Sequence, residues 1–201
     1  MSAAILEPLA PPVDTRPPEA RDRDEIWNGV RRMAAMANRW HQNLARDLVN
    51  YLLAYWAEDI GGDVNQEVNL TTPEDEDNWT SNYRIPDLVL LDPPRFPIDK
   101  NEYMVGAPLV VVEIRSPGDD SYAKLPFYAG LGVPEVWIIH RDTKVPEIRI
   151  LNEDGEYDLL FADAAGWHVS PNTGVQFQPV GGKLRARVGT DDATAADLPK
   201  R

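Results

Sequence analysis

The chain has 201 residues, room for one domain or at most two small ones, and at 43% apolar and 26% charged it has the material for a packed core. It has no cysteine, which excludes a disulfide scaffold, a thiolate zinc site and cysteine nucleophile chemistry. Twenty Lys and Arg against thirty-three Asp and Glu leave a net charge of −13, so the field of the whole molecule repels polyanions, and any nucleic-acid role requires a local cationic cleft or a bound metal.

Residues 1–20 hold Pro8, Pro11, Pro12, Pro17 and Pro18 and read as an extended arm. The arm lacks the basic start and apolar stretch of a signal peptide, and no apolar run approaches the roughly 18 residues of a membrane span. The expected compartment is the cytoplasm, with no membrane partner. Residues 21–189 read as a single domain and 190–201 as a flexible tail. Ile26-Trp27-Asn28-Gly29-Val30 carries an Asn-Gly pair, which predicts a hairpin of two short strands; a helix through 30–36 is the rival.

Asn38 is a candidate N-cap for a helix over 39–57, in which His41, Leu44, Leu48, Tyr51, Leu52 and Tyr55 recur at three- and four-residue steps. Gly61-Gly62 ends it, and a strand is expected over 64–70. Residues 71–83 form a polar acidic loop, and 84–91 (RIPDLVLL) a strand. Residues 109–115 (LVVVEIR) are the most β-prone stretch and belong in the middle of a sheet. A short helix over 122–131, capped by Asp119 or Ser121, crosses to another buried strand, 134–140. That crossover makes the two strands parallel. Residues 147–151 and 157–161 flank a hairpin turn, and short strands and turns follow to 188. The expected fold is α/β (α+β) with a mixed β-sheet, a long N-terminal helix and a crossover helix.

Strand parity puts Val111, Glu113 and Arg115 on one face and Val110, Val112 and Ile114 on the other. Asp87 lies in an otherwise apolar run. Burying an unpaired carboxylate costs several kcal/mol. Two readings are open: each acid pairs with an arginine such as Arg84 or Arg115 or caps a backbone group, or the two hold a hard cation such as Mg²⁺ with waters, a phosphate oxygen and a backbone carbonyl such as that of Ile114. Lys124, eleven residues after Glu113 on the crossover helix, can lean over the end of that strand with Tyr128 one turn on. His41 shares a helix face with Leu44 and Leu48 and reads as a packed, hydrogen-bonded histidine. Trp137 reads as core, and Trp79 as a lid or subunit contact.

Pro86-Asp87, the run Glu113-Ile114-Arg115-Ser116-Pro117, then Lys124, Tyr128 and Gly132-Val133-Pro134-Glu135-Val136-Trp137 together resemble the Uma2 family of endonucleases, within the PD-(D/E)XK nuclease superfamily. Glu25 with Asn28-Gly29 is similar to that family's Glu-containing hairpin, and His41 sits where a histidine starts its first long helix. The resemblance spans roughly residues 24–151. It implies a restriction-endonuclease-like core and Mg²⁺-dependent hydrolysis of DNA, with Mn²⁺ as a substitute. Asp87, Glu113 and the Ile114 carbonyl would hold the metal, with Glu25 as an accessory ligand. The superfamily's lysine, two residues after the Glu, is Arg115 here, a poor general base that could hold a phosphate oxygen. Lys124 would position the attacking water instead. The Arg115 substitution and the net charge support an alternative, a catalytically impaired module that binds DNA or a protein partner. A third candidate is a hydrolase of small phosphorylated molecules. Superfamily nucleases often pair, and the arm and the acidic loop are candidate homodimer contacts.

Overall fold

The computed structural model describes residues 23–33 and 37–200; the arm expected at 1–20 lies outside them. Strands β1 (Glu25–Trp27) and β2 (Val30–Arg32) form the Asn-Gly hairpin. Both turn residues have positive φ (50° at Asn28, 78° at Gly29), the backbone that a two-residue hairpin of this type requires. Helix α1 (Arg39–Leu52) starts at Asn38, whose Oδ1 accepts the His41 amide at 3.0 Å. It continues through a π-turn (Leu53–Ala57) into the short α2 (Glu58–Ile60), which Gly61 ends in the left-handed region. The wider π-turn shifts the helical phase. Trp56 therefore takes the inward position (2% exposed) that the three-and-four spacing assigned to Tyr55, which is 42% exposed.

Next come β3 (Asp63–Gln66), β4 (Leu70–Thr71), β5 (Tyr83–Arg84), β6 (Leu88–Leu91), β7 (Met104–Val105) and β8 (Val110–Arg115). A 3-10 turn over Ser121–Lys124 leads into α3 (Leu125–Leu131), then β9 (Glu135–His140), β10 (Pro146–Leu151) and β11 (Tyr157–Leu160). The main sheet has the order β11-β10-β9-β8-β6-β3; β8 and β9 are parallel and the other pairs antiparallel. This is the expected mixed sheet with β8 central and α3 as the crossover. Val110, Val112 and Ile114 face one core with α1, and Val111 faces a second core with Tyr128 of α3. Glu113 therefore points toward α3.

Three expectations change. Residues 64–70 are not one strand: Glu67 has φ 51°, and the chain turns there from β3 in the main sheet to β4 in a small five-stranded sheet, β2-β1-β5-β4-β7. Residues 84–91 are likewise divided at Pro86-Asp87, β5 going to the small sheet and β6 to the main one. The tail expected over 190–201 contains instead β15 (Asp191–Leu198), which pairs with β14 (Lys183–Val188). With β12 (His168–Val169) and β13 (Val175–Val180) they make a third sheet, β12-β13-β14-β15. The boundary expected at 189 falls inside this sheet. Asp and Ala, which make up most of the segment, disfavour strands, and its single Thr does not offset them; the pairing and one buried side chain hold the segment. Leu198 is fully buried opposite Leu184, and the Lys200 amide donates to Asp47 Oδ2 at 2.6 Å, fastening the end of the chain to α1. Leu198→Ala is expected to lower the unfolding free energy by about 2–5 kcal/mol in urea titrations. An unchanged midpoint would show that the last strand contributes nothing to the core.

Candidate active site

The β6–β8 register pairs Leu88 with Val112, so its extension would set residue 86 opposite Ile114. Residue 86 is proline and has no N–H to give the Ile114 carbonyl. The ladder ends there. The Ile114 amide turns instead to the Asp87 side chain, donating to Oδ2 at 2.6 Å. A strand residue's N–H and C=O point to the same side, so the Ile114 carbonyl faces the same gap. Its side chain packs in the opposite core, as the parity argument requires.

The gap opens into a cleft of about 180 Å³. Asp87, Glu113, Ile114, Lys124, Glu25 and His41 all line it. Glu113 is buried, with Oε1 accepting from Tyr128 Oη at 2.5 Å and Oε2 from Lys124 Nζ at 3.2 Å; the ion pair's closest approach, to Oε1, is 3.0 Å. Lys124 Nζ also reaches Glu25 Oε1 at 2.8 Å and the Ile85 carbonyl at 3.1 Å, which occupies its three donors. The lysine expected from the helix thus stands directly over the carboxylate of β8.

Burial pushes the Glu113 carboxyl up to about 8, with Lys124 partly offsetting it and Asp87 adding to it. Burial works against the Lys124 charge, but Glu113 and Glu25 outweigh it and hold the ammonium above its ordinary value. Burial and the charge of Glu113 push the Tyr128 hydroxyl far up, so it serves as a donor.

His41 is the residue that sequence reasoning underrated. Its Nε2 donates to Asp87 Oδ1 at 2.8 Å, so both Asp87 oxygens are held, one by the first turn of α1 and one by β8. Burial opposes the imidazolium, but the bond to Asp87 and the nearby Glu113 and Glu67 raise its pKa above the ordinary value. The helical stripe that made His41 look like core carried no sign that its ring turns to a carboxylate 46 positions away.

Three expected residues stand elsewhere or do something else. Arg115 does not line the cleft; its guanidinium lies 5.0 Å from the centre of the Tyr122 ring. Parity puts it on the same face as Glu113 but does not set its direction, and the Tyr122 ring draws it away. Glu25 reaches the centre as a bracket: Oε1 accepts the Ile85 amide (2.8 Å) and Lys124, and Oε2 accepts Trp27 Nε1 (2.6 Å). It does not join the other two acids in a metal cage, and no three His, Asp or Glu side chains form one among the described residues. Trp79, expected as a lid or subunit contact, stacks on Tyr103 (5.0 Å) and meets Tyr83 edge-on (5.6 Å).

The donor set fits a divalent cation of the Mg²⁺ kind. Six acids line the cleft (Glu25, Glu67, Asp87, Glu113, Asp119 and Asp120) against the three cations Arg23, Arg32 and Lys124. Such an excess of negative charge at a buried carboxylate is relieved by a hard cation. Two carboxylates and one carbonyl, all oxygen, match an ion that keeps several of its waters.

A mixed sheet with a parallel central pair, and a crossover helix above the point where two of its strands part, make this an α+β domain. The chain belongs to the Uma2 family, whose model, described as "Putative restriction endonuclease", matches residues 14–184. Its fold is similar to that of a solved structure described as "a putative nuclease belonging to DUF820" from Anabaena variabilis ATCC 29413. The TM-score is 0.58 and the sequences are 16% identical over 74% of this chain and 81% of that one. No curated protein matches the chain. No helix among the described residues is long and apolar enough to cross a membrane.

Proposed function

We propose that the protein is a Mg²⁺-dependent endonuclease that hydrolyses DNA phosphodiester bonds in this cleft. The observation that carries the reading is the convergence of Asp87, Glu113 and Lys124 at the point where Pro86 ends the β6–β8 ladder. Asp87, Glu113 and the Ile114 carbonyl would hold the cation, and Mn²⁺ would serve in its place. When bound, such an ion polarises a phosphoryl oxygen and makes a water more acidic.

The chain's own groups have separate tasks. His41 and the Ile114 amide fix the Asp87 carboxylate, and Tyr128 fixes that of Glu113. Lys124 supplies the positive charge that keeps Glu113 and Glu25 together and, by releasing one of its three donors, orients the attacking water. Ser116, Asp119 and Ser121 also line the cleft, and the Asp119 carboxylate accepts from the Ser116 and Ser121 amides and shapes the turn before α3.

The test is nicking of supercoiled plasmid with Mg²⁺ or Mn²⁺. Asp87→Ala, Glu113→Ala and Lys124→Ala should each lower the rate about 10²-fold or more. Calorimetry should show Mg²⁺ binding lost in Glu113→Ala. Cation binding unchanged in that variant, or no cleavage of single-stranded, duplex and branched DNA by the wild type, would overturn the reading.

A further inference from the structure

The acidic cleft raises a question of approach, since a polyanion must reach a site whose walls carry more acids than bases. The chain answers at one edge. Between Ile26 and Arg46 there is no Asp or Glu, but there are four arginines, in a protein of net charge −13. This stretch includes β2 and the first two turns of α1.

Arg32 ends β2 and lines the cleft that holds Asp87 and Glu113. Among the described residues no side chain or carbonyl accepts a hydrogen bond from it, so its five N–H donors are available. Its direction is nonetheless set. The guanidinium lies 5.2 Å from the centre of the Trp27 ring; Trp27 is fastened to Glu25 through Nε1 and contacted at 4.2 Å by the buried Arg84. Arg32 is thus a cation without a carboxylate partner among the described residues, set against a braced ring where it lines the cleft.

Met33, next to it and also lining the cleft, is 64% exposed, and Trp40, the neighbour on α1 of the cleft-lining His41, is 54% exposed. Arg39 lies 5.2 Å from the centre of the Trp40 ring and likewise has no carboxylate partner among the described residues. An exposed indole and guanidinium groups without carboxylate partners among the described residues suit an unpaired base on the ring and its phosphate on the cation. A second copy of the chain could cover the apolar groups, but it would bring the same arginines against each other. Charge complementarity favours the nucleic acid strand.

We propose that the shoulder formed by β2 and the start of α1 is a single-strand grip, in which Arg32 binds a backbone phosphate and Trp40 stacks on an unpaired base. This deepens the nuclease reading by naming the surface that brings a strand into the cleft, and it rests on that reading for the identity of the site. Delivery of the strand at an unpaired position implies a preference for single-stranded, gapped or flapped DNA over intact duplex.

Binding without turnover keeps the two proposals separable. Labelled oligothymidylate is titrated by fluorescence anisotropy, once in EDTA and once with Ca²⁺ replacing Mg²⁺, across a series of salt concentrations. Arg32→Ala should weaken binding about tenfold and reduce the slope of log affinity against log salt by about one. Trp40→Ala should also weaken single-strand binding about tenfold but leave the salt slope unchanged, and Trp40→Phe should retain most of the affinity. Arg185→Ala, on the far sheet and paired with Asp197, is the control and should change nothing.

Wild-type affinity and salt slope in both Arg32→Ala and Trp40→Ala would overturn the grip. Failure of the wild type to bind the oligonucleotide in either buffer would also overturn it, as would a wild-type dimer in sedimentation that Trp40→Ala dissociates. If plasmid cleavage fails while Arg32-dependent binding persists, the nuclease reading falls and the grip stands. If cleavage persists while both shoulder variants bind normally, the grip alone falls.

Discussion

Lys124→Met is expected to destabilise the cation-free protein by about 3–5 kcal/mol at pH ~8, measured by urea unfolding. The lysine is nearly buried, within 3.0 Å of Glu113 and 2.8 Å of Glu25, both of which are also buried. Its removal leaves two carboxylates out of water without their shared cation, and that uncompensated charge is the costly state. The loss should shrink as the pH falls, because Glu113, already displaced upward by burial, then takes a proton. The double variant Lys124→Met/Glu113→Gln should recover at least half of the loss, since one of the stranded charges is gone. A Lys124→Met protein as stable as wild type would mean that water reaches the cluster and that its charges are not held by one another.

The second large effect is a dependence on pH that a divalent cation reverses. Glu113 titrates at about 8 in the folded chain, against an ordinary value of 4.5. Between those values the folded protein keeps a proton that the unfolded chain has released. The contribution of Glu113 to stability therefore falls as pH rises through this window, by up to about 1.4 kcal/mol per pH unit at 25 °C, and levels off above it. His41, whose pKa is also held up, contributes stability at low pH that is lost as pH rises, so its effect has the same sign. The difference between wild type and Glu113→Gln isolates the carboxyl. A cation that binds the ionised carboxylate should act in the opposite sense. At about 100-fold excess over its dissociation constant, Mg²⁺ should add about 2.7 kcal/mol near pH ~8 and clearly less near pH ~6. Thermal melts at both pH values, with and without Mg²⁺, test this. Equal increments at the two pH values, or the same increments in Glu113→Gln, would detach the cation from Glu113.

Local pattern was enough for much of the fold and for the middle of the site. The β-rich run 110–115 with its parity, the helix-length crossover and the Asn-Gly turn are short-range signals, and the structure has the corresponding central strand, parallel pair and hairpin. Glu113 and Lys124 were legible together because one strand, one loop and one helical turn join them. What escaped depends on long-range partners. The Asp87–His41 bond joins elements 46 positions apart, and nothing in the α1 stripe distinguishes a ring packed in the core from one turned to a carboxylate. Arg115 was put on the right face, but its direction was not legible, because strand parity says nothing of the Tyr122 ring that meets it. The last strand was invisible for a related reason: it is mostly Asp and Ala, which disfavour strands, and pairing with β14 is what makes it extended. Arg32 drew no notice because its meaning lies in the Trp27 ring beneath it and the cleft beside it.

Pro86 has a consequence that reaches past its own position. An amide hydrogen there would let the backbone of β6 continue beside β8, and the oxygen of Ile114 would be consumed as an ordinary rung between neighbours. Asp87, no longer needed to satisfy the nitrogen of Ile114, would lose one of the two groups that orient it. A ring closure in one side chain thus turns the end of a ladder into outward-facing acceptors, and leaves open a cleft that regular secondary structure would otherwise have closed.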